Sequence, residues 1–148
     1  MSNFKFKKPQ ESIGLQFWKL HTKWQKRITM ALSQHKITHT QFVILASIIW
    51  FQEQATKPSQ ADISKVTDIE KMTLSKAIAQ LEKLSFVKRV KNEYDTRSIS
   101  VSLTEKGTNL IPILLKTVEE IDTEIFNTKT EADRVLFNNV IIELLNKS

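Results

Sequence analysis

Apolar residues recur every three or four positions in long stretches at both ends of the chain, the spacing of an amphipathic helix. The first helix is predicted over residues 12–34. The second starts after Thr104, and Pro112 should kink or divide it because proline removes one backbone hydrogen bond. Thr130 and Asp133 form a cap signature for a last helix. The three apolar stripes are Ile13, Phe17, Leu20, Trp24, Ile28 and Ala31; Leu110, Leu114, Val118, Ile121 and Ile125; and Leu136, Val140, Ile141 and Leu144.

The next helix along the chain is apolar on almost every side. Thr38 followed by Gln41 has the spacing of a capping box and marks its start. Residues 42–51 are apolar except for Ser47. A helix that is hydrophobic all round is buried, so this segment is predicted to be the central helix of the fold.

Two shorter helices are predicted after a polar connection over residues 52–58. Ser59 with Asp62 is again a cap signature, and residues 67–69 make a brief break before a helix over about 70–84. Two helices separated by a three-residue turn have the spacing of a helix-turn-helix. The residues expected to point inward are Ile63 and Val66 on the first helix, and Leu74, Ala77, Ile78, Leu81 and Leu84 on the second.

A β-hairpin is predicted directly after this pair of helices. Residues 98–103 alternate between serine and an apolar residue, the period of a strand with one buried face. The partner run, residues 86–90, departs from strict alternation and so allows for a β-bulge. The tip over residues 92–96 contains no glycine, which favours a loop longer than two residues. Arg97 lies beside Asp95 at this tip.

In order, residues 59–103 form helix, turn, helix and hairpin, the arrangement of a winged helix-turn-helix. An α-helix fits the DNA major groove, and an extended arginine favours a narrow, electronegative minor groove. Lysines on a helix are also typical of a plain solvated face, and many α+β proteins contain such a hairpin, so the order of elements carries the interpretation. The candidate DNA-binding residues are Ser59, Gln60, Lys71, Met72, Thr73, Ser75, Lys76, Gln80, Lys88, Arg89 and Arg97, with Asp95 as support for the wing.

Charge is distributed unevenly along the chain, whose formal net charge is +6. Basic residues outnumber acidic ones over residues 1–34 and 57–104, whereas acidic residues dominate 105–148. The basic part therefore ends where the hairpin ends. An acidic C-terminal arm is a poor DNA surface and a reasonable solvated helix face, on which we expect Glu119, Glu120, Asp122 and Glu124.

Several classes of protein are excluded by composition. There is no cysteine, which rules out disulfides and thiolate metal sites. With only Gly14 and Gly107 there is no glycine-rich phosphate loop or nucleophile elbow, and HExxH is missing, so an enzyme is not expected. The longest apolar run is too short to span a bilayer, and no secretory signal is recognised. We expect a cytoplasmic protein without a membrane partner.

Three segments resemble, in this order and spacing, the MarR family of bacterial transcription regulators across roughly residues 10–145. They read THTQFVILASI, LSKAIAQLEKLSFVKRV and DTRSISVSLTEKG. The wing pattern is matched by Asp95, Arg97, Leu103, Thr104 and Gly107, and the end of the family's recognition helix by Leu81, Glu82 and Lys83. The departures are Thr96, where many members have a second wing arginine; Ser85, where a glycine often closes the helix; and Lys76, where arginine is common.

The resemblance implies a homodimeric, mostly α (α+β) winged helix-turn-helix protein. The whole chain, 1–148, would form one domain, with dimerisation helices over 10–36 and 104–148 around a DNA-binding lobe at 38–103. Two lobes would reach successive half-sites of a pseudo-palindrome, typically under control of a ligand. Wide apolar stripes at both chain ends independently favour a dimer, because one small module could not cover them. The alternative is that they pack within one subunit.

The aromatic residues and histidines raise the questions of a ligand pocket and of a metal site. Trp18, His21, Trp24, Phe42 and Trp50 would border a pocket for a small aromatic or amphipathic effector, although aromatic residues at helical spacing are more often core. His35 and His39 lie four apart, but Thr38 separates them as a cap, so solvated or capping histidines are expected and no metal or other cofactor.

The sequence thus predicts a regulator that binds double-stranded DNA specifically, as a ligand-responsive repressor. The competing class is a winged-helix protein-interaction module with weak or no specific DNA binding. This second class is favoured if the missing second wing arginine, at Thr96, is decisive for DNA binding.

Overall fold

A computed structural model describes residues 1–95 and 97–147. Within them the chain folds into six α-helices and a two-stranded antiparallel sheet, after a short 3-10 turn at Pro9–Glu11. This confirms the predicted mostly helical fold class. The elements are α1 (Ile13–Ser33), α2 (His39–Glu53), α3 (Gln60–Thr67), α4 (Lys71–Lys83), β1 (Val87–Lys91), β2 (Ile99–Leu103), α5 (Glu105–Ile125) and α6 (Glu131–Leu145).

Hydroxyl side chains start five of the six helices. Each accepts a hydrogen bond from the backbone N–H three residues further on, which satisfies one amide that the helix itself leaves free. Two of these caps, at α2 and α3, are full capping boxes, as the spacing predicts. The five capping residues are Ser12, Thr38, Ser59, Thr104 and Thr130.

Helix α2 is the centre of the core, as predicted. It packs against α1, α3, α4, α5 and β2. Ile44, Leu45 and Ile48 are fully buried on it. Its neighbours contribute Ile28, Leu32, Ile63, Leu74, Ile78, Leu81, Val101, Ile111 and Leu114 to the same cluster.

The hairpin pairs β1 with β2 in an unbroken register, from Val87 opposite Leu103 to Lys91 opposite Ile99. The prediction that β1 could contain a β-bulge is therefore wrong. Val87 is buried, whereas Val90 lies on the opposite face of the strand and is exposed, which accounts for the irregular pattern. The N–H of Val101 donates to the carbonyl of Pro58 at 2.9 Å, so the segment before α3 is tied to β2.

The sequence predictions for Val66 and Leu84 are wrong, and so is the predicted division of the helix at Pro112. Val66 is 56% exposed, because it lines a surface groove beside Trp50 and does not face the core. Leu84 is 42% exposed, since it follows the last residue of α4 and the chain turns away at Ser85. Pro112 does not divide α5, which continues from Glu105 to Ile125; Ile111 and Leu114 anchor the helix in the core on either side.

The last turns of α5 are attached to α1 by polar contacts. The indole N–H of Trp24 donates to Asp122 Oδ1 at 2.7 Å, and Arg27 Nη2 lies 2.5 Å from Glu124 Oε2. The sequence placed Asp122 and Glu124 on a solvated face, but both side chains contact α1. These contacts orient the two long helices relative to each other.

Helix α6 and the start of α1 carry apolar side chains with little cover in the single chain. Helix α6 has no buried residue. A groove between these two helices is lined by Gln10, Ile13, Gly14, Gln16, Phe17, Leu20, Phe137, Val140, Ile141, Leu144 and Leu145. Among the described helices, none is long and apolar enough to cross a membrane.

Candidate nucleic-acid interface

The turn between α3 and α4 is fixed by local hydrogen bonds. Asp68 adopts a left-handed conformation at φ 58°, and its N–H donates to the carbonyl of Ser64 at 2.8 Å. The hydroxyl of Ser64 donates to the carbonyl of Ile69 at 2.7 Å, and that of Thr67 to Ile63 at 2.8 Å. These bonds hold α4 at a defined angle to α3.

Helix α4 has one buried and one open face. Leu74, Ala77, Ile78 and Leu81 are buried, in agreement with the predicted stripe. The opposite face carries the candidate DNA-binding residues. Lys71, Met72, Thr73, Lys76 and Gln80 are exposed and Ser75 is partly exposed.

Sequence reasoning missed the residue that caps α4. Glu70 Oε2 accepts hydrogen bonds from the N–H groups of Met72 and Thr73, both at 3.1 Å. These two bonds, Met72 first, lower the pKa of Glu70. The spacing could have suggested a cap, but serine, threonine, aspartate and asparagine are the usual capping residues. The first amides of α4 are thus satisfied by a carboxylate and not left free for phosphate.

The start of α3, the start of α4 and the wing meet in one crevice. It is lined by Ser59, Gln60, Ala61, Lys71, Asp95, Arg97, Ser98 and Ile99. Five of the predicted site residues are thereby brought together. The hydroxyl of Ser59 is engaged by the N–H of Asp62 at 3.0 Å, whereas Gln60 Oε1 is buried without a hydrogen-bond partner among the described residues.

The wing tip is organised by its acidic and amide side chains. Asp95 Oδ1 accepts from the backbone N–H of Arg97 at 3.1 Å and from its Nε at 3.3 Å. Asn92 Oδ1 accepts from the N–H of Tyr94, which shapes the glycine-free turn. The Arg97 side chain remains 92% exposed. Thr96 lies outside the described residues.

The two basic residues of β1 differ in their surroundings. Lys88 is exposed. Arg89 is partly buried, and its Nη2 lies 3.2 Å from Glu82 Oε1 at the end of α4. Its guanidinium thus has a carboxylate partner within the chain.

The structure brings together three of the five predicted pocket residues. Trp24 lies between His21 and His39, with ring centroids 5.9 and 5.0 Å apart, and His39 leads on to Phe42 at 6.5 Å. The other two lie outside this cluster, although Trp50 lines a surface groove together with Phe42. Trp18 is 66% exposed on α1, and Trp50 is 52% exposed on the far end of α2.

His39 is neither solvated nor capping, which corrects the sequence interpretation. Its Nδ1 lies 2.9 Å from Gln25 Oε1, and its ring packs edge-on against Trp24. Burial lowers the pKa of His39, an effect that Asp122 opposes and His21 reinforces. Over residues 1–95 and 97–147, no group of three or more histidine or acidic side chains is arranged to hold a metal ion.

A pH-dependent stability is expected from His39. Because its pKa in the folded protein lies below the ordinary 6.5, the unfolded chain takes up the proton first as pH falls. The free energy of unfolding should therefore decrease from pH 7.5 towards pH 5.5. Urea titrations of the wild type and of His39→Gln would measure this, with His35→Gln as control. If His39→Gln keeps the full decrease, the prediction is wrong.

The fold and this surface define a winged helix-turn-helix protein. The family model of the ArnR1-like winged-helix domain matches residues 33–121. YdcH of Bacillus subtilis (strain 168), an uncharacterized HTH-type transcriptional regulator, is 31% identical over 132 residues, which cover 89% of this chain and 90% of YdcH. The chain belongs to the ArnR1-like winged-helix family and is a MarR-family transcription regulator.

Solved structures agree with this assignment. A MarR transcriptional regulator from Methanosarcina mazei Go1 is similar with a TM-score of 0.74 and 27% identity, over 90% of this chain and 93% of that one. BpsR of Bordetella bronchiseptica, whose DNA binding is regulated by 6-hydroxynicotinic acid, shares the fold with a TM-score of 0.85 at 20% identity, over 99% and 100% of the two chains. The protein is a DNA-binding transcription regulator, a class without enzymatic activity, as predicted.

Proposed function

We propose that this regulator binds a pseudo-palindromic operator sequence-specifically as a homodimer and represses transcription in the cytoplasm. One observation carries the proposal: the crevice that joins the start of α3, the start of α4 and the wing. It brings Lys71, at the start of α4, beside the exposed Arg97 of the wing, which supports a continuous DNA-binding surface from the outer face of α4 to the wing. A duplex seated there meets a helix in its major groove and an arginine beside it.

The side chains of this surface suit different parts of a duplex. Thr73, Ser75, Lys76 and Gln80 carry donors and acceptors for base edges, and Met72 offers apolar contact to a thymine methyl group. Lys71, Lys88 and the first amides of α3, beside Ser59 and Gln60, suit phosphate oxygens. Arg97, which is exposed and braced at its Nε by Asp95, suits an adjacent minor groove.

The homodimer is supported by the apolar groove between α1 and α6. Ile13, Phe17 and Leu144 are well exposed there, in a patch that a lone soluble domain rarely leaves open. In this proposal residues 10–36 and 104–148 carry the dimerisation helices, which meet their partner through this groove, and 38–103 form the DNA-binding lobe. A two-fold axis then makes the operator a repeat of two half-sites.

A small aromatic or amphipathic effector is part of the proposal. The cluster of His21, Trp24, His39 and Phe42 lies where α1 meets α2, between the proposed interface and the lobe. The fold relative BpsR responds to an aromatic acid. Titration of aromatic carboxylates against tryptophan fluorescence and against operator release tests this. Silence in both readouts removes the effector from the proposal.

Binding to the DNA upstream of its own gene, compared with random duplex over a range of salt concentrations, tests the proposed function. A specific regulator should prefer its operator by at least a factor of about 1,000. Footprinting should show two half-sites about one helical turn apart. Equal affinity for both duplexes would favour the competing function, a winged-helix module that binds protein.

Lys76→Ala and Arg97→Ala should weaken operator binding in different ways. Loss of Lys76 from α4 should cost about 1–3 kcal/mol of discrimination at one base position and so relax specificity. Loss of Arg97 should weaken binding at the wing. In a footprint, the nucleotides beside those that α4 contacts should then lose their protection. Competition assays on single-base operator variants measure the first effect, and footprinting measures the second. Lys116→Ala, on the exposed side of α5, removes the same charge away from this surface and should change neither.

A further inference from the structure

The end of α4 and the start of β1 are joined by one side chain. Glu82 Oε2 accepts from the backbone N–H of Arg89 at 3.1 Å, and its Oε1 accepts from Arg89 Nη2 at 3.2 Å. The two side chains are only 39% and 27% exposed. The hydrogen bonds from Arg89, backbone first, lower the pKa of Glu82, so the carboxylate is charged at neutral pH.

The chain between these two residues is held from the other side by the first turn of α5. This elbow, residues 84–86, turns through Ser85 at φ 67°. Lys106 Nζ donates to the carbonyl of Leu84 at 2.9 Å. The hydroxyl of Thr104 donates to the backbone carbonyl of Ser85 at 2.5 Å. The N–H of Thr104 donates to the carbonyl of Phe86 at 3.0 Å.

We propose that Glu82 is a positioning residue for DNA binding, which fixes the wing relative to α4 through Arg89. The inference rests on the proposed function. Arg89 then acts through Glu82 and is not a phosphate contact. Since β1 starts two residues before Arg89 and leads to the tip, its angle to α4 decides whether Arg97 reaches the duplex that α4 reads.

The direction in which operator affinity changes when Glu82 is neutralised distinguishes a positioning role from plain repulsion between Glu82 and phosphate. Removing a carboxylate from a DNA-binding lobe normally raises affinity, because the negative charge repels phosphate. A positioning carboxylate does the opposite when it is removed. Glu82→Gln should therefore lower operator affinity although it makes the lobe more positive.

A double-mutant cycle between Glu82→Gln and Arg97→Ala tests the proposal. Each single variant should lower operator affinity about tenfold. The double variant should bind the operator within about twofold of the affinity of Arg97→Ala alone. A merely structural role would give additive losses, since destabilisation does not depend on Arg97. Glu105→Gln, which removes an exposed acid from the neighbouring first turn of α5, should leave affinity unchanged or slightly raised.

Arg89→Lys provides a second test that does not depend on the folding of Glu82→Gln. Lysine would keep a phosphate contact but cannot reproduce the guanidinium geometry at Glu82. We expect the same tenfold loss and the same non-additivity with Arg97→Ala. Additive losses, or a gain of affinity for Glu82→Gln, would overturn the inference alone. A wild-type chain that does not prefer its operator over random duplex would overturn the proposed function as well.

Discussion

Gly107→Ala should destabilise the protein by about 3 kcal/mol, the upper part of the range for overpacking a closed contact. A Cβ at this position would lie 2.2 Å from the carbonyl oxygen of Phe86, 3.2 Å from its carbon and 3.3 Å from Leu103 Cδ2. The closest atoms belong to backbone and cannot rotate aside. Helix α5 would have to move away from Phe86, which directly precedes β1, or the turn over residues 84–86 would have to open.

The chain's other glycine is a matched control. A Cβ added to Gly14, in the first turn of α1, would meet no heavy atom within 4 Å. Within one subunit, Gly14→Ala should stabilise α1 by about 0.5–1 kcal/mol, because alanine loses less conformational freedom in a helix. Urea unfolding of the two variants beside the wild type measures both changes. Similar midpoints for the two alanine variants would show that α5 does not pack against Phe86 this closely.

Much of the fold could be predicted because its signals are local. A hydroxyl three residues ahead of a free amide specifies a helix start without reference to the rest of the chain, as at Thr38 and Ser59. The buried stripe of α4 likewise follows from its own period. The order of these elements then leaves few arrangements, and the winged helix-turn-helix is one of them.

Three of the wrong predictions concern residues whose surroundings depend on contacts between distant parts of the chain. Val66 has an inward spacing, but a groove beside Trp50 lies next to it. His39 looked solvated because its partners, Trp24 and Gln25, come from another helix. Asp122 looked like one acid among several until α1 placed Trp24 against it. Periodicity assigns a face to a residue, and only packing decides what covers that face.

In the candidate interface too, some residues could be named from the sequence and others only from the structure. The outward residues of α4 follow from its inward stripe, so sequence alone could name them. The roles of Glu70 and Glu82 were not assigned from the sequence, although the spacing of Glu70 allows a cap and Glu82 belongs to the segment that resembles the family's recognition helix. Their roles come from what the backbone brings to them: the first amides of α4 for Glu70, and β1 for Glu82.

Val140→Glu should convert the proposed dimer to a monomer and lower operator affinity on the order of 100-fold. Val140 lines the groove between α6 and the start of α1, where a partner subunit would enclose it. Burying an unpaired carboxylate in an apolar interface costs several kcal/mol. A monomer holds one half-site and loses the effective concentration that links the two lobes, which is commonly a factor of about 100 or more.

Asn139→Glu adds the same charge one residue earlier on α6, outside the residues that line the groove. It should remain dimeric and keep its operator affinity within about twofold, since rim charges contribute little. Sedimentation velocity reports the oligomeric state of both variants, and thermal melting shows that each is folded. A Val140→Glu protein that stays dimeric would place the interface elsewhere. A monomeric one with full operator affinity would instead show that the two lobes bind DNA independently.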